Sequence, residues 1–356
     1  MISPIIKKDI ENIVKRLGNE VNKLSGKRIL VTGASGLIGS YLVETIAYLN
    51  SEKKLSSPCR VLGLQKKDIT KKARLGYLLG RPDIQFISHN AADSYFPSSK
   101  IDYIIHSAGN SAPAFFLADP LGTIDVNVNG IRWILEYAKK NNIESVLYMS
   151  SGEIYGNPTP ENIPTSETYN GNVSTTGSRA CYTSSKRLAE TLCRIYFEKY
   201  GVPVKIARPF IVYGPGLDIL DRRVMADFMR SGLQGKPIKM LSEGKDARSY
   251  CYVADATVAF FQLLFSSKNG EAFNVASDLE EVSIKDLAQL VHKICKIKKP
   301  VKILKLDAKF IKDAPNRVKP DISKLKNTFG YKPEVNIEEG LKRTIEWNKS
   351  VHAELS

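Results

Sequence analysis

Lys27-Arg28-Ile29-Leu30-Val31-Thr32-Gly33-Ala34-Ser35-Gly36-Leu37-Ile38-Gly39 is the stretch from which the fold can be read. Residues 27–32 are a short apolar run stopped by glycine, the pattern of a strand buried on both faces of a parallel sheet. Residues 37–49 follow as a helix. Between them glycine recurs every third position, at 33, 36 and 39. The spacing differs from G-x-G-x-x-G, but the physical tasks are the same. Gly33 permits the tight turn, Gly36 lets backbone approach a pyrophosphate, and Gly39 lets the helix pack on the strand. The helix N-terminus favours the anion. Gly33, Ser35, Gly36, Leu37, Ile38 and Gly39 are therefore candidate residues for a dinucleotide cofactor.

Outward from this turn, strand-like runs at 59–64, 85–88, 103–106, 145–150 and 204–207 alternate with helical stretches near 120–140 and 182–200. That alternation predicts an α/β fold, a Rossmann-type doubly wound parallel sheet. After Arg208, Pro209, Gly214, Pro215, Gly216, Gly235, Pro237 and Gly244 break the regularity before a helix at 253–264 and a strand at 272–276. This predicts a dinucleotide-binding domain over 26–208 and a smaller C-terminal α/β substrate-binding lobe over 209–356, with elements at about 250–276 shared between them. Residues 1–25 place Ile5, Ile6, Ile10, Ile13, Val14, Leu17 and Val21 near helical spacing. They predict an amphipathic helical extension used for packing or an oligomer contact.

The chain has 356 residues, 43% hydrophobic and 25% charged, enough for a substantial core. The net charge of +15 raises the question of nucleic acid. The lysines sit in scattered pairs with no finger or RNP pattern, so a solvated surface that also attracts an anionic small substrate is the better reading. The five cysteines, 59, 181, 193, 251 and 295, lack paired spacing and predict neither a disulfide framework nor a metal site. With no long apolar run and no apolar leader, the expectation is a cytoplasmic protein with no membrane contact.

Where an acidic residue usually ends the second strand and bonds the cofactor's ribose, this chain has Gln65, followed by Lys66 and Lys67. Gln still hydrogen-bonds ribose, and the lysines suit a phosphate, so NAD is favoured with NADP open. Asn90 and Ala91 end the third strand, where the Asn amide suits adenine. Ala108, at the end of the fourth, leaves room for a dinucleotide to cross.

Tyr182 and Lys186 stand four apart on one helical face, so the ammonium is expected to lower the phenol pKa and to hold the cofactor's ribose. Tyr182 then becomes a base near neutral pH. Ser150-Ser151-Gly152-Glu153-Ile154-Tyr155-Gly156 lies at a strand end, where the Ser151 hydroxyl would share the substrate's proton. Ser151, Glu153, Tyr182 and Lys186 are the candidate catalytic residues.

Through these residues the chain resembles the extended short-chain dehydrogenases/reductases that modify nucleotide sugars, and within them the UDP-glucuronate decarboxylases. The likeness spans about 27–345. It includes Tyr169-x-Gly171-x-Val173, Gly177-x-Arg179-Ala180-Cys181-Tyr182, Lys186-Arg187-x-Ala189-Glu190-Thr191, Gln234-Gly235-x-Pro237 and Lys319-Pro320-Asp321-Ile322. The resemblance implies a nucleotide-sugar substrate, transient oxidation at C4 of the sugar, Glu153 near C5, and Arg223 and Arg248 on the diphosphate or a sugar carboxylate. It also implies an Asn, here Asn127, that props the active-site strand, and a homodimer through the helices near 120–140 and 182–200. Four positions depart from the pattern. Gly152 stands where decarboxylases have Ser and dehydratases Asp, Ile211 replaces an Asn, and Gln65 and Asn90 each replace an Asp. A 4,6-dehydratase or epimerase, and a disabled cofactor-binding scaffold, remain the alternatives.

Overall fold

The run at 27–32 becomes β1 (Arg28–Thr32), followed by β2 (Arg60–Gln65), β3 (Ile84–Ser88), β4 (Tyr103–His106), β5 (Ser145–Met149) and β6 (Val204–Pro209). A seventh strand, Ala272–Val275, lies beyond them in sequence yet pairs parallel to β6. The computed structural model describes residues 1–109, 111–304, 315 and 317–351. The sheet order is Ala272–Val275, β6, β5, β4, β1, β2, β3, and every neighbouring pair is parallel. The order reverses between β1 and β4, which opens the crevice at the carboxyl ends where such sheets bind ligands.

Side chains alternate across the strands, so each strand feeds two cores. Ile29, Val31, Ile105 and Leu147 pack with α2 (Leu37–Ser51) on one face, and Leu30, Ile104, Val146 and Tyr148 pack on the other with the helix Pro120–Lys140. Along the chain, α1 is Pro4–Leu17, α3 is Pro113–Ala118, α4 is Pro120–Lys140, α5 is Ala180–Tyr200, α6 is Val224–Leu233 and α7 is Val253–Phe265. Every residue of α7 except Gln262 is buried, as expected for a helix with apolar residues on all sides.

Downstream of β6, Ile211–Tyr213 pairs with Tyr250–Tyr252. Ala247–Arg248 lies between Val282–Ser283 and Arg317–Val318. This is the region of the expected smaller lobe, of which 305–314, 316 and 352–356 lie outside the described residues.

The N-terminal extension is shorter as an α-helix than its spacing predicts. The α-helix stops at Leu17, because Gly18 turns the backbone to φ +54°, and residues 18–24 continue as a 3-10 helix. Ile6, Ile10, Ile13 and Leu17 are buried in the core shared with α2 and α7. Asp9, on the same helix, is fully buried and accepts hydrogen bonds from Tyr41 (2.8 Å), Tyr252 (2.6 Å) and Arg343 (2.9 Å). Burial raises its pKa, against the pull of Tyr252, Tyr41 and Arg343. Asp9→Ala would leave two tyrosine hydroxyls without their acceptor and Arg343 with Glu339 alone. It is expected to lower the unfolding free energy by about 3 kcal/mol in urea titration, with the folded far-UV spectrum retained.

Candidate active site

At the end of β1 the chain turns through Gly33 at φ +68°. A Cβ there would stand 2.8 Å from both N and Cα of Ala108 at the end of β4. At Gly39 it would stand 2.2 Å from the Gly33 carbonyl oxygen. The turn is thus closed against β4 on one side and against its own helix on the other. Gly36 caps α2, and its amide donates to Gly33 O at 3.0 Å. Ser35 and Gly36 are exposed, and Leu37 and Ile38 half-buried, so the positive end of α2 faces open space above the sheet.

Gln65 ends β2 as a buried side chain whose Oε1 has no hydrogen-bond partner among the described residues. Lys66 and Lys67 beside it are exposed. Asn90 is exposed, with Oδ1 accepting from Ala92 N at 3.3 Å, while Ala91 O accepts from Trp133 Nε1 at 3.0 Å. Ala108 N donates to Thr32 Oγ1 at 3.2 Å, which locks β4's end to β1's.

Beyond β5, Ser151 begins a short 3-10 turn and accepts from Glu153 N at 3.1 Å. Tyr182 and Lys186 lie in the first two turns of α5, both buried. The Tyr182 ring stacks on Phe116 of α3, centroids 5.2 Å apart and planes 13° from parallel. Lys186 Nζ donates to Met149 O at 2.7 Å, and burial lowers its pKa to about 8, against Glu190 and Cys193. Its ammonium is 6.0 Å from the Tyr182 ring centroid.

The expected phenolate near neutral pH is not what this environment alone produces. Burial pushes Tyr182 up to about 12; a Ser151 hydrogen bond lowers it, Glu153 raises it, and Arg223 and Arg179 lower it. The cations that act on the phenol from outside α5 are thus arginines. Arg179 is the arginine of the Gly177-x-Arg179-Ala180-Cys181-Tyr182 motif. In the structure its Nε and Nη2 reach Glu153 Oε2 at 3.1 and 2.7 Å. Glycine spacing or helix periodicity gives no sign of this, because Arg179 sits just before α5 and its partner 26 residues earlier.

Arg223 precedes α6, its Nε held by Asp221 Oδ2 at 2.5 Å. Arg248 donates to Ala247 O at 2.9 Å and Pro315 O at 2.5 Å. Its pKa is lowered by burial and by Arg179, against Tyr250, Asp246 and Glu153. The structure therefore brings Ser151, Glu153, Tyr182, Arg223 and Arg248 into one electrostatic neighbourhood. Asn127 lies in the body of α4, where Nδ2 donates to Ser185 Oγ on α5 at 2.9 Å and Oδ1 would stand 3.4 Å from a Cβ at Gly109, just past β4. Its Oδ1 is buried without a partner among the described residues. Gly152 also has a local cause. A Cβ there would meet the Phe210 ring at 2.7–2.8 Å, so no side chain enters until that ring moves.

Comparison with known proteins settles the family. The NAD dependent epimerase/dehydratase family profile matches residues 29–276. The chain belongs to this family. UDP-glucuronic acid decarboxylase 6 of Arabidopsis thaliana is 34% identical over 317 residues, covering 89% of this chain and 87% of that one. UDP-glucuronic acid decarboxylase 1 of Xenopus tropicalis is 31% identical over 321 residues, 90% of this chain and 72% of that one. In fold, the chain resembles the UDP-glucose 4-epimerase of Thermotoga maritima, solved with UDP-glucose, at TM-score 0.78 and 24% identity, covering 91% of this chain and 99% of that one. It likewise resembles the dTDP-glucose 4,6-dehydratase of Streptomyces venezuelae, solved with NAD and TYD, at TM-score 0.78 and 22% identity, covering 92% and 100%.

The residues of this epimerase/dehydratase family member fit NAD. The cradle has no room for a side chain at Gly33 or Gly39, and at Gly36 it exposes a helix N-terminus. The orphaned Gln65 Oε1 is an acceptor suited to a ribose hydroxyl. Gly33→Ala is expected to abolish NADH binding in fluorescence titration. Gln65→Ala should weaken NADH about tenfold, the worth of one hydrogen bond to a buried group.

Proposed function

We propose that this protein decarboxylates UDP-glucuronate, oxidising C4 of the sugar transiently and releasing carbon dioxide, to give UDP-xylose or a 4-keto pentose. The likeness to curated UDP-glucuronic acid decarboxylases over 89–90% of the chain carries the reading. The site's chemistry supports it. Bound NAD supplies a hydride acceptor for C4 and a donor for its return, so the net redox change is zero. Gly33, Ser35, Gly36, Leu37, Ile38, Gly39, Gln65, Asn90, Ala91 and Ala108 hold it, with Lys186 on its ribose.

As the phenolate, which burial disfavours and the charges of Arg223, Arg179 and bound NAD favour, Tyr182 takes the proton of the 4-hydroxyl, and Ser151 shares that proton through its hydrogen bond to the phenol. Once C4 is a ketone, a hexuronate is a β-keto acid, which loses carbon dioxide without a strong base. Glu153 then orients water or reprotonates C5. Arg248 and Arg223 restrain the carboxylate and the diphosphate, anions that guanidinium recognises with paired donors. A 4,6-dehydratase needs an acid to protonate the departing C6 hydroxyl. Gly152 has none, and the Phe210 ring fills the space an acid there would need.

The same reading divides the chain into a cofactor domain at 26–208 and a substrate lobe at 209–356, and places the protein in the cytoplasm, where its five unpaired thiols stay reduced. No helix of the described residues is long and apolar enough to cross a membrane. A homodimer through α4 and α5 is supported by their exposed Leu121, Ile124, Leu188 and Ile195.

Incubated with NAD and UDP-glucuronate, the protein is expected to release carbon dioxide; an intact acid after prolonged incubation rejects the proposal. Tyr182→Phe should lower turnover by about a thousandfold without changing the melting temperature by more than a few degrees.

A further inference from the structure

Beyond its charge, Arg179 has no role assigned above, yet three observations place it at the join of the two reacting positions. Both its Nε and its Nη2 converge on one oxygen of Glu153, Oε2, and no hydrogen bond from a described residue goes to the other. Its guanidinium carbon lies 5.5 Å from the centroid of the Phe116 ring. That ring is the one that stacks on Tyr182. Its carbonyl accepts the amides of Tyr182 and Thr183, each at 3.1 Å, so its backbone fixes the first turn of α5.

Stability alone does not account for this arrangement. The Arg179 side chain is 19% exposed and that of Glu153 34%, and half-exposed ion pairs contribute at most about 1 kcal/mol. What the pair does join is the turn after β5, which carries Ser151 and Glu153, to the start of α5, which carries Tyr182.

We propose that Arg179 is a positioning residue that clamps Glu153 to the Phe116–Tyr182 stack, so that the groups serving C5 and C4 of the sugar move as one unit. The inference rests on the proposed function for the sugar and its reaction. It concerns a residue that touches neither in this account. Glu153 is held through Oε2, while Oε1 accepts no hydrogen bond from a described residue. Removing the guanidinium frees that carboxylate to swing and removes a cation from the surroundings of the phenol. The other groups facing Tyr182 are Ser151 and Glu153 after β5, Arg223 before α6, Lys186 on its own helix, Tyr148 of β5 and the apolar Phe116 of α3.

Two substitutions separate charge from fork geometry. Arg179→Met removes both; Arg179→Lys keeps the charge and loses the paired donors. Fluorine NMR of the holoenzyme carrying 3-fluorotyrosine at position 182 follows ionisation of the phenol with no sugar present. The midpoint is expected to rise by about one pH unit in Arg179→Met and to stay in Arg179→Lys. Arg179→Gln replaces the Met variant should that one not fold. In carbon dioxide release from UDP-glucuronate, Arg179→Lys should lower kcat about 100-fold with KM nearly unchanged, as for a misplaced reacting group. An unmoved midpoint in Arg179→Met overturns the inference, and so does a raised KM with intact kcat, which would make Arg179 a substrate ligand. A wild-type protein that leaves UDP-glucuronate untouched sinks the proposed function instead, and the NMR comparison still decides on Arg179.

Discussion

Under the site, the guanidinium of Arg208 on β6 meets the carboxylate of Glu190 on α5 through Nε at 3.0 Å and Nη2 at 2.6 Å. Its remaining nitrogen, Nη1, reaches Tyr155 Oη at 2.7 Å, and Tyr155 in turn donates to Asn274 Oδ1 at 2.8 Å. Asn274 Nδ2 donates to the carbonyls of Thr165 and Asp321, and Ser150 donates to Glu190 at 2.5 Å. One ion pair thus ties β5, α5, β6, the seventh strand and two loops. Burial works against the charge of Arg208, and the bonds from Glu190 and Tyr155 restore it and raise its pKa. Losing one partner of such a pair costs about 3–5 kcal/mol, because the other charge stays buried. Ser151 follows Ser150 directly, and Lys186 and Tyr182 lie one and two turns before Glu190. The positions of the candidate catalytic groups are inherited from this pair.

Legibility in the sequence follows the range of each interaction. The β1 turn is readable because its constraints are local: a strand, three glycines and a helix within thirteen residues, with side chains excluded at Gly33 and Gly39 by atoms nearby in space. The strands and the long helices were readable for the same reason, with ends differing by a residue or two, as at β2, which begins at Arg60 and includes Gln65. The apolar spacing predicts too long an N-terminal helix, because it runs on to Val21 while Gly18 interrupts the α-helix. The clamp of Arg179 on Glu153, the bond from Asn127 to Ser185 across 58 residues, and the network of Arg208 all depend on three-dimensional proximity, which no periodicity encodes.

The phenol's environment shows the same division. Helical spacing correctly puts Tyr182 and Lys186 on one face, but a shared face does not make them partners. The amine instead turns to the carbonyl of Met149, at 2.7 Å. Burial then dominates both groups, raising the acid and lowering the base. The two shifts have one origin, the cost of charge in a site closed by Phe116 and Tyr148, and each favours the neutral form. Charge brought into the site, whether from arginines at its rim or from a bound cationic cofactor, therefore acts in a medium that screens it weakly.

That weak screening gives the distribution of basic residues its meaning. Apart from the buried Lys186 and Lys205, the lysines of the described residues lie toward the outside, as at the exposed Lys66 and Lys67, where water carries the cost of holding a compact ammonium. Around the cleft the cations are Arg179, Arg223 and Arg248, each partly withdrawn from water and held by a carboxylate or backbone carbonyls. Guanidinium is the cation that tolerates this, being weakly hydrated and fixed in direction by its planar fork. Donors fixed in this way are already oriented before any anion arrives, whereas charges dispersed over the surface act at longer range. The net charge of +15 therefore resolves into a solvated outer population of lysines and a few withdrawn cations at the candidate site, where the arginines join the buried Lys186.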